Sequence, residues 1–399
     1  MAGPVSSCIK CLLIYNICIM AAKKHTKSLA VCMIVKNEEA VIPKTLPNAV
    51  RYSDRVILAD TGSTDNTAAV AKGYGAEVYG FEWINDFSAA RNFSCSKARE
   101  DWILWLDADE YMDEASFSAL RDLLDNTEAD VINIPIYECK YGTADGTSFY
   151  MRGKIFRNNK GARFVKPVNE QLVFPDGSRP SYDDFRDARI CHWGLDLPSG
   201  TMAKKMETRI DLLKQTAAAA PEDFAVRYLL GLRCSEIGRP EEAIDHYSQV
   251  ISICEKDASS DKTKKAFAHA AHAKKAQFLL KSGNAGQALA EALSAIQLDP
   301  LFLEPCDSAV MALLELGKYD EALQLSEQML KLPKIQHPVL LFNQQKWDSL
   351  IYVLHIRALL KAKGKKEALY FAEKALADHP DNPVLRQSLN ALKGPAQRQ

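Results

Sequence analysis

The chain has 399 residues, 47% apolar and 25% charged, with 50 Lys and Arg against 51 Asp and Glu for a net charge of −1. At roughly 150 residues per domain, this length predicts two or three globular units with cores of their own. The even charge balance excludes a chain built as a polycation for nucleic acid or for an acidic membrane surface.

In chain order, the first feature is an apolar run at residues 11–22, CLLIYNICIMAA. It is too short for a membrane-spanning helix, which needs ~20 residues. Lys10 before it and Ala21-Ala22 after it admit a signal peptide, but Lys23, Lys24 and Lys27 spoil the cleavage region. The preferred reading makes Met20 the start, residues 1–19 an upstream stretch, and residues 1–27 an N-terminal extension outside the fold. The ten cysteines are scattered, and the CxxC of Cys8 and Cys11 has neither a second pair nor a nearby His. A structural zinc site needs four ligands. Reduced thiols in apolar segments (Cys32, Cys139, Cys234, Cys254) and a cytoplasmic protein are expected, with a peripheral position at the inner face of the membrane as the variant.

From Ser28 to Tyr137, short apolar runs predict strands over 29–35, 55–60, 76–81, 101–107 and 129–137. Amphipathic stretches between them predict helices over 38–51, 65–74, 88–99 and 113–126. This alternation predicts an α/β domain with a mostly parallel, Rossmann-like sheet, whose ligands bind at the carboxyl ends of the strands. After Met202 strand-like runs vanish. Four segments each combine a helix, a Gly turn (Gly238, Gly283, Gly317, Gly364) and an Ala shortly after it (Ala243, Ala288, Ala322, Ala368). The pattern resembles the tetratricopeptide repeat. The Ala288–Ala322 interval matches that repeat's ~34-residue period and the other two intervals are longer. Such units stack into an all-α solenoid; an irregular bundle is the alternative. The expected organisation is a catalytic domain over 28–200, a connecting helix over 201–224 and helical repeats over 225–392.

Polar residues collect at the strand ends: Lys36, Asn37 and Glu38 after the first, Asp60 at the end of the second, Arg91 beyond the third, Asp107 and Asp109 at the fourth. Residues two apart in an extended segment point the same way. Two such carboxylates repel unless a cation or proton intervenes, and Mg²⁺ or Mn²⁺ shared with a phosphate meets that need. The alternative is that Asp107 starts a turn and Asp109-Glu110 cap the next helix. No GxGxxG follows the first strand and no GxxxxGK[ST] occurs, which excludes the dinucleotide fingerprint and the P-loop.

MIVKNEE (33–39), DTGSTDNT (60–67), DFSAARN (86–92) and DWILWLDADE (101–110) resemble the family 2 glycosyltransferases of GT-A fold, over residues 28–200. The resemblance is to the bacterial branch running from lipopolysaccharide-core glucosyltransferases to sublancin-type peptide S-glycosyltransferases, several of which carry C-terminal helical repeats. It implies that Val35, Asn37, Glu38 and Asp60 line the nucleotide pocket, and that Arg91 faces the diphosphate. It also implies that Asp107 touches the ribose or the metal, Asp109 binds the metal, and His192 is a further metal ligand. Glu170 is the implied base, with Arg91 beside it in catalysis and Asp183 and Asp184 in reserve. Position 169, where the family commonly has His, is Asn. Trp193 is expected to pack in the core.

The resemblance implies an inverting, Mn²⁺- or Mg²⁺-dependent transfer of a hexose or N-acetylhexosamine. The donor is a UDP-sugar and the acceptor a cell-envelope glycan or a peptide/protein. The repeats imply a protein partner or self-association. A non-enzymatic repeat scaffold with an inert or nucleotide-sugar-binding half is the other class. A nucleotidyltransferase is disfavoured, since KNEE stands where that class carries a Gly-rich basic loop. The whole donor site is expected within residues 20–215.

Overall fold

The protein is described here by a computed structural model, covering residues 25–194, 202–256, 261–333, 342–343 and 349–393. The apolar run, the CxxC and Met20 lie outside the described residues.

Strand β1 (Leu29–Val35) is apolar throughout and almost wholly buried, the pattern of a strand covered on both faces. Parallel neighbours flank it: β2 (Arg55–Asp60) on one side, β4 (Trp102–Asp107) on the other, with β3 (Glu77–Gly80) outside β2. The register sets Val35 opposite Asp60 and Ile34 opposite Asp107. Asp60 and Asp107 therefore emerge at the same edge, one on each side of β1.

Beyond β4 the sheet turns mixed. β7 (Gly146–Arg157), a strand the sequence reading did not assign, runs antiparallel between β4 and β6 (Val131–Cys139). β11 (Ile190–His192) is parallel to β6, and β5 (Glu110–Tyr111) closes that edge antiparallel to β11. β10 (Tyr182–Asp184) adds to β6, and β12 (Phe342–Asn343), far along in the helical half, adds to β7, making ten strands. β8 (Arg163–Val165) and β9 (Gln171–Val173) form a separate hairpin.

Helices Ile42–Tyr52, Thr67–Gly73, Phe87–Cys95 and Glu114–Leu124 connect the strands. Asp86 caps the third and Asp113 the fourth, accepting from the amides of Ala89 and Ser116. Asp109 and Glu110 are thus not the helix cap. The fold also begins before Ser28. His25 Nδ1 lies 2.9 Å from Asp125, and the amides of Thr26 and Lys27 donate to the same carboxylate. Residues 25–27 therefore belong to the domain, a correction to the expected extension.

The helical half opens with Met202–Ala219, followed by helical hairpins Phe224–Glu236/Pro240–Glu255, Lys262–Lys281/Ala285–Leu298, Glu304–Glu315/Tyr319–Met329 and Ile351–Ala362/Lys365–Asp378, then Pro383–Lys393. Gly238, Gly283, Gly317 and Gly364 turn each hairpin at positive φ, where glycine has no steric penalty. Ala243, Ala288, Ala322 and Ala368 are fully buried, letting the paired helices approach. The long intervals have two origins: a 16-residue and a 20-residue helix between the first two Gly turns, and the passage through β12 between the last two. No helix among the described residues is long and apolar enough to cross a membrane.

The halves share a core. Val168 of the α/β half packs with Ile210, Leu213, Val226 and Leu230, and Phe87 and Met206 join the same cluster. The expected boundary near residue 200 is one of composition, not of packing.

Candidate functional site

The loops after β1 and β2 knit into one corner. Asp60 Oδ1 accepts from the amides of Gly62 and Ser63 and from Ser63 Oγ, at 3.2, 2.9 and 2.7 Å. Asn37, at φ 55°, accepts from the Thr64 amide, and its own amide donates to Ser63 Oγ. The Glu38 amide donates to Thr67 Oγ1. Asn37 and Glu38 thus shape the corner. Val35 departs from the expectation: its side chain is 1% exposed in the core, and its carbonyl is taken by Thr61. Asp60 Oδ2 makes no hydrogen bond to a described residue and remains available.

Arg91 is the centre of the site. It projects from helix Phe87–Cys95 and is 4% exposed. Its Nη2 lies 3.0 Å from Asp107 Oδ1 and 3.0 Å from Glu170 Oε1. Its guanidinium sits 4.1 Å from the centroid of Trp105. Nε and Nη1 are buried without a hydrogen-bond partner. Buried donors are seldom left so, and an arginine fork matches phosphate oxygens. Burial pushes the Asp107 carboxyl up, but Arg91, then Lys154 and Arg152, outweigh it and hold it well below the usual carboxylate range.

Sequence reading missed the floor of the site. Glu110 is 2% exposed, accepts from the Asp107 amide and pairs with the fully buried Lys154 at 2.6 Å. Lys154 Nζ also stands 3.5 Å from the Trp105 centroid and Arg152 4.7 Å from it. Arg152 and Lys154 share a face of β7, since residues two apart point the same way. Two cations two residues apart within the run FYMRGKIF were the available signal.

His192 lies between Glu138 and Glu110 in the sheet register. Its Nδ1 is 3.0 Å from Glu138, and its Nε2 is 3.6 Å from Asp109 Oδ2. Burial lowers its pKa, but the Glu138 hydrogen bond, with Asp109 and Glu110, pushes it up to about 9. Gly194 packs over this pair: a Cβ there would meet His192 Nε2 at 2.5 Å and Asp109 Oδ2 at 2.9 Å. The missing side chain leaves a cradle touching both side-chain atoms, and a carboxylate behind the far nitrogen is the usual support of a metal-binding imidazole. Among the described residues no three His, Cys, Asp or Glu gather into a metal cluster. Asp109 and His192 fit a cation that takes its other ligands from phosphate oxygens and water. Asp107 gives one oxygen, Oδ1, to Arg91.

Asn169 has φ 56°, a left-handed turn that Asn tolerates. Asp183 and Asp184 are exposed on β10, with β6 and β7 intervening before β4, and are not brought to the site. Trp193 is buried and stacks on Tyr111 at 5.3 Å.

Residues 30–178 match the family described as glycosyl transferase family 2. A TPR repeat-containing protein of Synechococcus elongatus is 38% identical over 142 residues, covering 35% of this chain and 34% of its own. The SPbeta prophage-derived glycosyltransferase SunS of Bacillus subtilis is 25% identical over 235 residues, 58% of this chain and 54% of its own. An uncharacterized glycosyltransferase of Rickettsia typhi is 35% identical over 148 residues, 36% of this chain and 50% of its own. The chain thus spans about half or less of the length of these relatives. With a parallel β3-β2-β1-β4 core, its polar strand ends and this match together, residues 30–178 are a family 2 glycosyl transferase domain of GT-A type, followed by tetratricopeptide-like helical repeats.

Proposed function

We propose that the chain is an inverting glycosyltransferase that moves a hexose or N-acetylhexosamine from a UDP-sugar to a glycan or a peptide/protein acceptor. The observation that carries this reading is Arg91, buried between Asp107 and Glu170 at the carboxyl edge of the sheet with two donors unpartnered. Diphosphate oxygens would satisfy those donors. Asp60 Oδ2 would accept from the base or ribose. Asp109 and His192 would hold Mn²⁺ or Mg²⁺. Such a cation supplies a Lewis acid that stabilises the departing nucleoside diphosphate. Glu170, positioned by Arg91, would take the acceptor's proton. The repeats would present the acceptor or a second copy of the chain.

The test is UDP release from a panel of UDP-sugars, with Mn²⁺ and with EDTA, for the wild type and Asp109→Ala. Metal-dependent release that Asp109→Ala abolishes supports the reading. Full turnover in EDTA would remove the metal from it, and no release with any donor would remove the UDP-sugar.

A further inference from the structure

The loop after β3 stands on the same edge of the sheet as Asp60. Gly80 lies opposite Asp60 in the register of β3 on β2, and the Phe81 amide donates to the Asp60 carbonyl at 2.8 Å. Trp83 follows two residues later, and Ile84 beside it is 60% exposed. The chain then passes through Asn85, at φ 59°, into the helix that carries Arg91.

Two contacts fix the indole of Trp83. Its Nε1 donates to Asn85 Oδ1 at 2.9 Å, so its one hydrogen-bond donor is used inside the loop. Its ring meets that of Phe87 in a T-shaped contact, with centroids 4.7 Å apart and planes at 67°. Phe87 is itself anchored: its amide donates to Pro167 O at 2.9 Å, and its side chain packs on the core that holds Val168. Phe87 and Arg91 are four residues apart on one helix and so share a face, one turn from each other. Trp83 therefore stands between Asp60, reached through Phe81, and Arg91, reached through Phe87. The indole is half-buried, and Phe87 is its only ring neighbour among the described residues. A flat apolar surface is left at the rim of the site.

Strand order decides which part of a nucleotide comes to this rim. Away from β4 the sheet runs β1, β2, β3. Asp107 ends β4 with Asp109 just beyond it, Asp60 ends β2, and Trp83 follows β3. β3 is three strand spacings, about 14 Å, from β4. A donor with its diphosphate at Arg91 and Asp109 and its nucleoside at Asp60 runs outward along this edge, and the base is its outer end. We infer that Trp83 is a base-stacking residue of the donor site, its indole lying against the face of the nucleobase. This rests on the nucleotide-sugar reading above. Every base has a π-face, so stacking supplies affinity and leaves the choice of base to the polar groups of the Asp60 corner.

The experiment compares the full chain with Trp83→Phe and Trp83→Leu. Calorimetry is run with UDP and with inorganic pyrophosphate, each with Mn²⁺. Trp83→Leu keeps apolar bulk against Phe87 but has no ring to stack. It is expected to weaken UDP by about tenfold to a hundredfold, the range for one base–aromatic stack, while pyrophosphate changes little. Trp83→Phe keeps a ring and should retain most of the UDP affinity. Equal UDP affinity in the two variants overturns the inference. So does an equal loss for UDP and pyrophosphate in Trp83→Leu, which marks a structural role. A wild type that binds no UDP would instead overturn the donor reading itself.

Discussion

Lys154 Nζ lies 2.6 Å from Glu110 Oε2, with 0% and 3% of the two side chains exposed. Glu110 also accepts from the Asp107 amide, so this buried pair is the floor on which the aspartate turn rests. Burial pushes Glu110 up and Lys154 down, each opposed by its partner's charge. Removing one member of a buried pair strands the other charge and costs about 3–5 kcal/mol. Lys154→Met is expected to destabilise the protein by that order in urea unfolding. Adding Glu110→Gln, which keeps an acceptor for Asp107, should recover most of the loss. A single variant as stable as the wild type would contradict this account.

Gly194→Ala tests the cradle. The new methyl would meet His192 Nε2 at 2.5 Å and Asp109 Oδ2 at 2.9 Å, forcing the two apart. Mn²⁺ binding, followed by electron paramagnetic resonance in the presence of UDP, is expected to weaken at least about tenfold, the range for a disturbed ligand set. UDP binding without metal should change little. Undiminished Mn²⁺ binding would take the cation away from this pair.

Asp60 has two tasks that a careful substitution separates. Its Oδ1 organises the turn through Gly62 and Ser63, and its Oδ2 is open. Asp60→Asn retains one oxygen for the turn and loses the second acceptor. The expected result is an intact fold by circular dichroism with UDP affinity reduced by about tenfold, the order of one hydrogen bond to a charged group. Equal affinity in calorimetry would confine Asp60 to the turn.

The shared core predicts where the chain can be cut. Residues 20–215 contain every family motif, but they omit Asp223, Val226 and Leu230, which hold Lys166 and Val168. That fragment is expected to lose UDP binding together with solubility, against the expectation of a self-sufficient donor half. A chain ending at Leu298 keeps two whole hairpins and should bind UDP more tightly. UDP binding by the shorter fragment at full-length affinity would show the contact to be dispensable.

Acid should release a tether at the opposite end of the sheet. The Arg55 hydrogen bond, then Tyr79, holds Glu77 at about 2. A depressed carboxyl stabilises the fold above its unfolded pKa, ~4.3, and that contribution disappears as pH falls through the folded value. The stability gap between wild type and Glu77→Gln should therefore be full at neutral pH and close toward pH ~2. A gap independent of pH would mean that Glu77 acts through packing alone.

Much of the site was legible because short motifs encode local geometry. Asp60 and Asp107 follow buried apolar runs, and β1 lies between the strands that end in them. Arg91 stands one turn inside a helix capped by Asp86, in the loop-and-helix segment that follows the third strand. Val35, in the same motif as Asn37 and Glu38, has its side chain in the core, because a motif's neighbours need not share its exposure. Lys154 and Arg152 stayed hidden because their roles depend on β7 pairing between β4 and β6, and Glu138 because it meets His192 only through the pairing of β11 with β6.

The sequence by itself determined the elements and their order: apolar runs that can only be buried strands, Gly turns and small Ala residues that pair helices, and the polar residues at strand ends. These are set by bond geometry and burial within a few residues. Only the tertiary structure decided that Glu110 is a floor and not a cap, that His192 meets Asp109, and that the first helices of the helical half pack on the segment before Glu170. Those outcomes depend on which surfaces pack together, and packing joins residues such as Val168 and Val226 without regard to their separation along the chain.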